Sequence, residues 1–235
     1  MHTWPDAIVG FDSRWWDGRL PDTPYAKSLR YYCTKATQGD DFTSAQFPLQ
    51  WTKAEQLFGP ARGAYAFHVY ASNPVSAAVR YHNTVVANGG YGGFPPILDL
   101  EDTRAPASVA AVDRMWAQLQ EMEQLAGRAV LCYTARWIFQ RWAPYVQSRH
   151  GFYDRLLWEA DPEPDTLEPG QWTKDKLAIV QVRLDFNPGG FNAVIDENHT
   201  EPGLFAAWAP TDAEDLVTVT LPRAVYDGLR GAVCS

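Results

Sequence analysis

Pro95-Pro96-Ile97-Leu98-Asp99-Leu100-Glu101-Asp102 decides the reading of this chain. A short apolar run after two prolines reads as a buried strand, and it ends in two carboxylates spaced two residues apart. Side chains on a strand alternate with period two, so Asp99 and Glu101 are expected to point to one side. At ~3.3 Å rise per residue their Cα atoms would lie roughly 6.5–7 Å apart. Like charges in a confined site raise one pKa and cost stability, so such a pairing calls for a chemical reason. One carboxyl kept protonated and one ionised is the arrangement that glycosidic bond cleavage uses. The bland counterpart is an Asp/Glu pair at a solvated strand end.

Outward from this strand the chain repeats one pattern. Strand candidates fall at 7–12, 31–35, 63–68, 96–101, 129–133, 156–159, 177–182 and 192–196. Helical stretches separate several of them. Residues 48–58 place Trp51, Ala54, Leu57 and Phe58 on one side. Residues 74–88 open with Asn73 as cap and Pro74 in the first turn. Residues 107–126 carry Val109, Val112, Met115, Trp116, Leu119 and Met122 at helical spacing and stop at Gly127. Residues 135–145 follow the fifth strand. Eight strands alternating with helices that thin out late predict an α/β fold, a parallel (β/α) barrel poor in helices in its last third. A doubly wound sheet is disfavoured, because Gly89-Gly90-Tyr91-Gly92-Gly93 precedes a strand instead of opening a helix. The barrel is expected to occupy 1–208, with 209–235 as a short appendage or linker.

The chain has 235 residues, enough for one substantial core, and a net charge of −8. That charge argues against a nucleic-acid partner and against simple electrostatic adhesion to anionic surfaces. No stretch approaches the ~20 apolar residues of a membrane span. Met1-His2-Thr3-Trp4-Pro5-Asp6 lacks a signal peptide's basic start and apolar run. Cytoplasmic synthesis followed by another release route, or export as a mature form, is therefore expected. Cys33, Cys132 and Cys234 lack metal-ligand spacing; the first two read as buried thiols and the third as part of an exposed tail. His68, His82, His150 and His199 show no metal-binding spacing either, so neither metal nor cofactor is expected. Asn198-His199-Thr200 matches a glycosylation sequon. Ten Trp, eleven Tyr and eleven Phe are a high aromatic load; most of these rings are expected in the core, and a minority are candidates for sugar platforms.

In a barrel the active site gathers at the carboxyl ends of the strands. Those ends here offer Asp12, then Lys35 and Thr37, then His68, then Asp99 and Glu101. Next come Tyr133, Glu159 with Asp161, Gln181, and Asp196 with Asn198. A rim so rich in acids is what a carbohydrate hydrolase presents.

Six segments now form a recognisable series. They are Gly10-Phe11-Asp12-Ser13, Lys35-Ala36-Thr37-Gln38-Gly39, Gly63-Ala64-Tyr65-Ala66-Phe67, Asp99-Leu100-Glu101, Leu157-Trp158-Glu159-Ala160 and Val194-Ile195-Asp196-Glu197-Asn198. Over roughly residues 6–200 the chain resembles glycoside hydrolase family 25, the N-acetylmuramidase-type lysozymes that include phage endolysins. The resemblance implies a modified TIM-like barrel of eight strands and about five helices. It implies hydrolysis of the β-1,4 bond between N-acetylmuramic acid and N-acetylglucosamine of peptidoglycan, with a retaining outcome. The implied partner is the peptidoglycan glycan strand at the bacterial cell wall, met by a monomer or weak dimer, with a separate wall-binding module or holin-type release compatible with it. Glu101 is then the general acid, its pKa raised by burial and by Asp99, and Asp99 stabilises the oxocarbenium- or oxazolinium-like state. Asp12 and Asp196 complete an acidic ring. Tyr65, Phe67, Tyr133, Trp158, Gln181 and Asn198 are the substrate-binding candidates.

The chain departs from the family pattern at several points. Gln38 stands where a Glu is usual, Trp15-Trp16 follow the first motif, Glu159 and Asp161 add charge after the sixth strand, and Glu197 replaces an apolar residue. A non-catalytic glycan-binding barrel and a metal-dependent polysaccharide deacetylase are the competing readings.

Overall fold

The structure, a computed structural model, describes residues 4, 6–13, 16–160, 172–189 and 191–209. Its elements in chain order are β1 (Ile8–Asp12), α1 (Pro24–Ser28), β2 (Tyr32–Gln38), β3 (Phe42–Thr43) and α2 (Phe47–Phe58). Then come β4 (Arg62–Phe67), α3 (Pro74–Ala87), β5 (Ile97–Asp99), α4 (Val109–Ala126), β6 (Leu131–Thr134) and α5 (Arg136–Phe139). The last are β7 (Leu157–Glu159), β8 (Leu177–Phe186), β9 (Ile195–Thr200) and α6 (Pro202–Trp208). The strands run β1-β9-β8-β7-β6-β5-β4-β2-β3, and pairing of β1 with β2 closes eight of them into a barrel.

From β1 through β2, β4, β5, β6 and β7 to β8 every neighbouring pair is parallel. The wholly parallel barrel expected from the sequence is corrected at its last member. β9 runs antiparallel to both β8 and β1, because it follows β8 by a hairpin and no crossover helix intervenes. The eighth strand is also displaced from the expected 192–196 to Ile195–Thr200. The consequence is geometric: the amino end of β9, not its carboxyl end, lies at the rim where the other strands finish. Asp196 is directly opposite Asp12 in that register.

The helices form where capping and periodicity ask for them. Asn73 accepts a hydrogen bond from the Ser76 amide at the start of α3, with Pro74 in its first turn. Ser108 does the same for the Ala111 amide of α4, and Gly127 ends that helix at φ 67°, a conformation glycine adopts without strain. Met115, Leu119 and Met122 of α4 are fully buried with Tyr81 and Val85 of α3, against Leu98 and Cys132 on the outer face of the sheet. Each such aliphatic side chain contributes about 1.5–3 kcal/mol by leaving water. The expected helix 135–145 shortens to α5 followed by a 3-10 turn at Ala143–Tyr145. α1, β3 and α6 were not foreseen; each is at most seven residues long.

Inside the barrel a second cluster gathers Tyr31, Cys33, Ile97, Leu131, Trp158 and Ile179. Gly10 makes room for it, since a Cβ there would sit 2.4 Å from the Tyr31 ring. α6 lies against the same cluster through Phe205, with Trp208 beside Phe94 at 5.0 Å between ring centroids. The barrel therefore has a packed lower half and an open upper rim. Cys33 and Cys132 are buried free thiols. Cys234 and, beyond Ala209, the expected appendage lie outside the described residues. No described helix is long and apolar enough to cross a membrane.

Candidate active site

At the open rim four carboxylates reach one cavity of about 210 Å³: Asp12, Asp99, Glu101 and Asp196. Tyr65, Phe67, Tyr133, Trp158 and Lys35 complete its wall. The fold brings these together for reasons visible in the register. Asp12 ends β1 and Asp99 ends β5, while Glu101 lies two residues past the strand, still carried by the Leu100 amide donating to the Tyr133 carbonyl at 2.8 Å. Asp196 arrives from the reversed β9.

Each acid is held differently. Glu101 is half-buried, and its Oε1 accepts the Ala135 amide at 3.0 Å. Burial pushes its pKa above the ordinary glutamate range and the charge of Asp196 adds to this, against the Ala135 hydrogen bond and Lys35. The largest charge effect thus comes from Asp196 and not from Asp99, as the sequence had suggested. Asp12 is almost wholly enclosed, and its Oδ1 accepts from Asn198 Nδ2 at 2.8 Å and from Gln181 Nε2 at 3.4 Å. Burial, then the neighbouring Asp196, pushes its carboxyl well above the usual range despite those bonds. Asp196 is raised too, first by burial and then by Asp185, while its Oδ1 accepts the Asp185 amide at 2.7 Å. Asp99 is buried at the foot of the cavity, and its backbone carbonyl accepts the His68 amide at 2.9 Å.

Of the ten residues picked out from the sequence, eight line the cavity. Gln181 and Asn198 lie beneath it, fully buried. They link the wall: Tyr133 OH donates to Gln181 Oε1 at 3.0 Å, and Trp158 Nε1 donates to Asn198 Oδ1 at 3.0 Å. With their bonds to Asp12 this gives one continuous network through β6, β8, β1, β9 and β7. Such a network is rigid when every member is satisfied. Tyr133 and Trp158 also meet edge to face at 4.9 Å. The sequon at Asn198 is buried inside β9, together with His199 and Thr200.

Lys35 was legible as a rim residue but not as part of the site. Its Nζ donates to Gln38 Oε1 at 3.3 Å and sits 4.8 Å from the Phe67 ring centroid. The available signal was a lysine within the otherwise buried strand β2. The Ala135 amide that holds Glu101 could not have been found, because a backbone donor leaves no mark in the side-chain pattern. Of the family departures, Trp16 does not reshape the cavity: it is fully buried, edge-on to Phe11, with Nε1 donating to the Arg19 carbonyl at 2.8 Å. Trp15 and Asp161 lie outside the described residues, and Glu159 is buried at the end of β7. Among the described residues no cluster of His, Cys, Asp and Glu has the geometry to hold a metal ion.

The chain matches the family model of Glycosyl hydrolases family 25 over residues 22–172. It is similar in structure to a family 25 glycosyl hydrolase from Bacillus anthracis, with TM-score 0.67 at 16% identity, over 89% of this chain and 96% of that one. A muramidase from Acremonium alcalophilum aligns with TM-score 0.64 at 26% identity, over 87% of this chain and 100% of that one. The modular autolysin LytC from Streptococcus pneumoniae, solved in complex with a synthetic peptidoglycan ligand, aligns with TM-score 0.61 at 16% identity. That match covers 83% of this chain and 47% of LytC. No curated protein sequence matches.

Proposed function

The chain belongs to glycosyl hydrolase family 25, and from that premise we propose that it is a muramidase cleaving the β-1,4 bond between N-acetylmuramic acid and N-acetylglucosamine in peptidoglycan. The observation that carries this reading is the convergence of Asp12, Asp99, Glu101 and Asp196 on one aromatic-walled cavity. Glu101 is the general acid. Its burial and the charge of Asp196 push its pKa above the ordinary glutamate range, the direction that favours an acid able to protonate the leaving glycosidic oxygen. Asp99, from the same strand end, stabilises the positive charge that develops at the anomeric carbon, directly or by orienting the substrate's N-acetyl group. The expected outcome is retention, which requires a double displacement: Asp99 or the N-acetyl oxygen bonds the anomeric carbon as the leaving oxygen takes the Glu101 proton, and water deprotonated by Glu101 then breaks that bond. Asp196 adds to the raised pKa of Glu101, Asp12 completes the acidic ring, and Tyr65, Phe67 and Tyr133 offer ring surface to the sugar, with the buried Trp158 backing Tyr133 edge to face. The site of action on this reading is the bacterial cell wall, and a wall-binding module elsewhere in the same polypeptide would suit an acidic barrel that has no electrostatic affinity for anionic walls.

The test compares wild type with Glu101→Gln on purified peptidoglycan, following reducing ends and identifying fragments by mass spectrometry. Wild type should release muropeptides ending in reducing N-acetylmuramic acid, and the variant should lose on the order of 100-fold or more, the contribution of a positioned acid. Wall binding without release by wild type would instead make this a glycan-binding barrel. Activity that survives Glu101→Gln would mean another acid donates the proton.

A further inference from the structure

β9 has two faces, and only one belongs to the cavity. Asp196 and Asn198 point inward, while Glu197 and His199, alternating with them, point outward and are buried there. The Glu197 carboxylate is fully engaged. Its Oε1 accepts from His199 Nε2 at 3.0 Å, its Oε2 accepts from Tyr25 OH at 2.9 Å, and Arg183 Nη1 lies 3.9 Å away. Tyr25 belongs to α1, Arg183 to β8 and His199 to β9 itself, while β1 faces Glu197 with the apolar Phe11. Phe186 covers the cluster, edge-on to Tyr25 at 5.7 Å and 4.7 Å beneath the Arg183 guanidinium.

The ladder around this carboxylate is incomplete. β8 and β9 slip register between Gln181 and Arg183, and again between Arg183 and Phe186. The Arg183–Glu197 pair sits between these two irregularities. Backbone pairing holds Asn198 opposite Gln181 on β8 and Asp196 opposite Asp12 on β1, but past Asn198 it gives Asp196 no regular partner on β8, and a side-chain contact can supply what that ladder does not.

We propose that Glu197 is a positioning residue, clamping β9 to β8 and α1 so that Asp196 and Asn198 hold their aim into the cavity. The clamp works through charge. Burial opposes ionisation of Glu197, but the hydrogen bond from His199, its charge, Arg183 and the Tyr25 hydroxyl outweigh it and hold the carboxyl below the ordinary range. Releasing the clamp lets Asp196 retreat from Glu101 and Asp12, which weakens the repulsion that helps raise their pKa values. The effect on turnover rests on the hydrolase reading above, whereas the effect on proton affinity does not.

The experiment uses Glu197→Gln, which keeps the shape and removes the charge, and Tyr25→Phe, which removes one hydroxyl and serves if the first variant does not fold. Two readouts are taken: hydrolysis of soluble glycan-strand fragments across pH, and carboxyl titrations by ¹³C NMR, which need no substrate. Glu197→Gln should lower kcat on the order of tenfold with KM little changed, and move the basic limb of the pH profile to lower pH. Tyr25→Phe should move both the same way by less. Carboxyl titrations should show Asp12 and Glu101 midpoints falling in both variants. A lowered Tm with unchanged kcat, pH limb and midpoints would reduce Glu197 to a structural residue and overturn the proposal. Wild type that titrates as expected but hydrolyses no glycan would overturn the muramidase reading and leave the clamp standing.

Discussion

The parallel arc from β2 to β7 and the antiparallel seam of β8, β9 and β1 place acids on the same cavity by different means. The arc is wrapped by helices; Asp99 ends β5 and Glu101 follows two residues on, and the outer face of β5 is covered by Met115, Leu119 and Tyr81. No described helix joins β8 to β9, and the acids of the seam are held by hydrogen bonds to their carboxylates: Asn198 and Gln181 on Asp12, the Asp185 backbone amide on Asp196, and, on the outward face, Tyr25 and His199 on Glu197. Apolar packing is strong and non-directional, so it fixes where a strand lies. Hydrogen bonds are weaker in net but directional, so they fix where a carboxylate points. The first should fail as lost stability, the second as altered chemistry.

The sharpest way to break this contrast is a cut in the arc. Met115→Ala removes a fully buried side chain of α4 and should cost about 2–5 kcal/mol. For a chain of this size that lowers Tm by roughly 5–15 °C. The pH dependence of activity in the folded fraction should not move, because no titratable group of the cavity is touched. A thermal melt paired with a pH–rate profile checks both. A displaced profile would mean that packing and aim are not separable.

A smaller effect, of opposite sign, is expected on the seam. Asp12 has a folded-state pKa raised above its unfolded value, chiefly by burial and then by Asp196. Its contribution to stability is present below the unfolded pKa and is lost as pH rises through the folded one. Asp12→Asn cannot ionise, yet its amide oxygen can still accept from Asn198 and Gln181. The variant should therefore gain on wild type as pH rises from about 4 to 8, by on the order of 1 kcal/mol, while hydrolysis falls. Melts across that range test it, and a stability difference that stays flat with pH would show that Asp12 carries no strained charge.

The same contrast explains what the sequence disclosed. The arc was legible almost element by element, since Asn73-Pro74, Ser108 and Gly127 mark helix ends and apolar periodicity marks their inner faces. Asp99 and Glu101 were found because they break an apolar run. On the seam the strand was shifted by three residues and its direction missed. Asn192 to Asp196 reads no differently from Ile195 to Thr200 when the strand is polar on both faces, as β9 is at Asp196, Glu197, Asn198 and His199. Asp196 still came out as a rim residue, because reversal brings the start of β9 to the place where the end of a parallel strand would have been. The outward side of β9 gave no such signal. Glu197 appeared only as a departure from the family pattern, and its partners Tyr25 and Arg183 stand 172 and 14 positions away.

The finest test of the seam is Asp185, an exposed residue of the long strand β8 held at φ 48°. A side chain in that region of backbone space costs roughly 1 kcal/mol that glycine does not incur. Aspartate is one of the few side chains that adopt this conformation at modest cost, and it is its amide, not its side chain, that makes the bond to Asp196. The Asp185 charge does act on Asp196, adding to burial in raising that carboxyl. Asp185→Gly keeps the amide, relieves the backbone and removes the charge. Glycine's extra freedom in the unfolded chain offsets part of the gain, so Tm should rise by only about 1–3 °C. The Asp196 midpoint should fall at the same time, drawing the basic limb of activity slightly to lower pH. If Tm rises and the limb stays, strain at Asp185 is a by-product of the hairpin; if both move together, the seam gives up stability to keep its acids protonated.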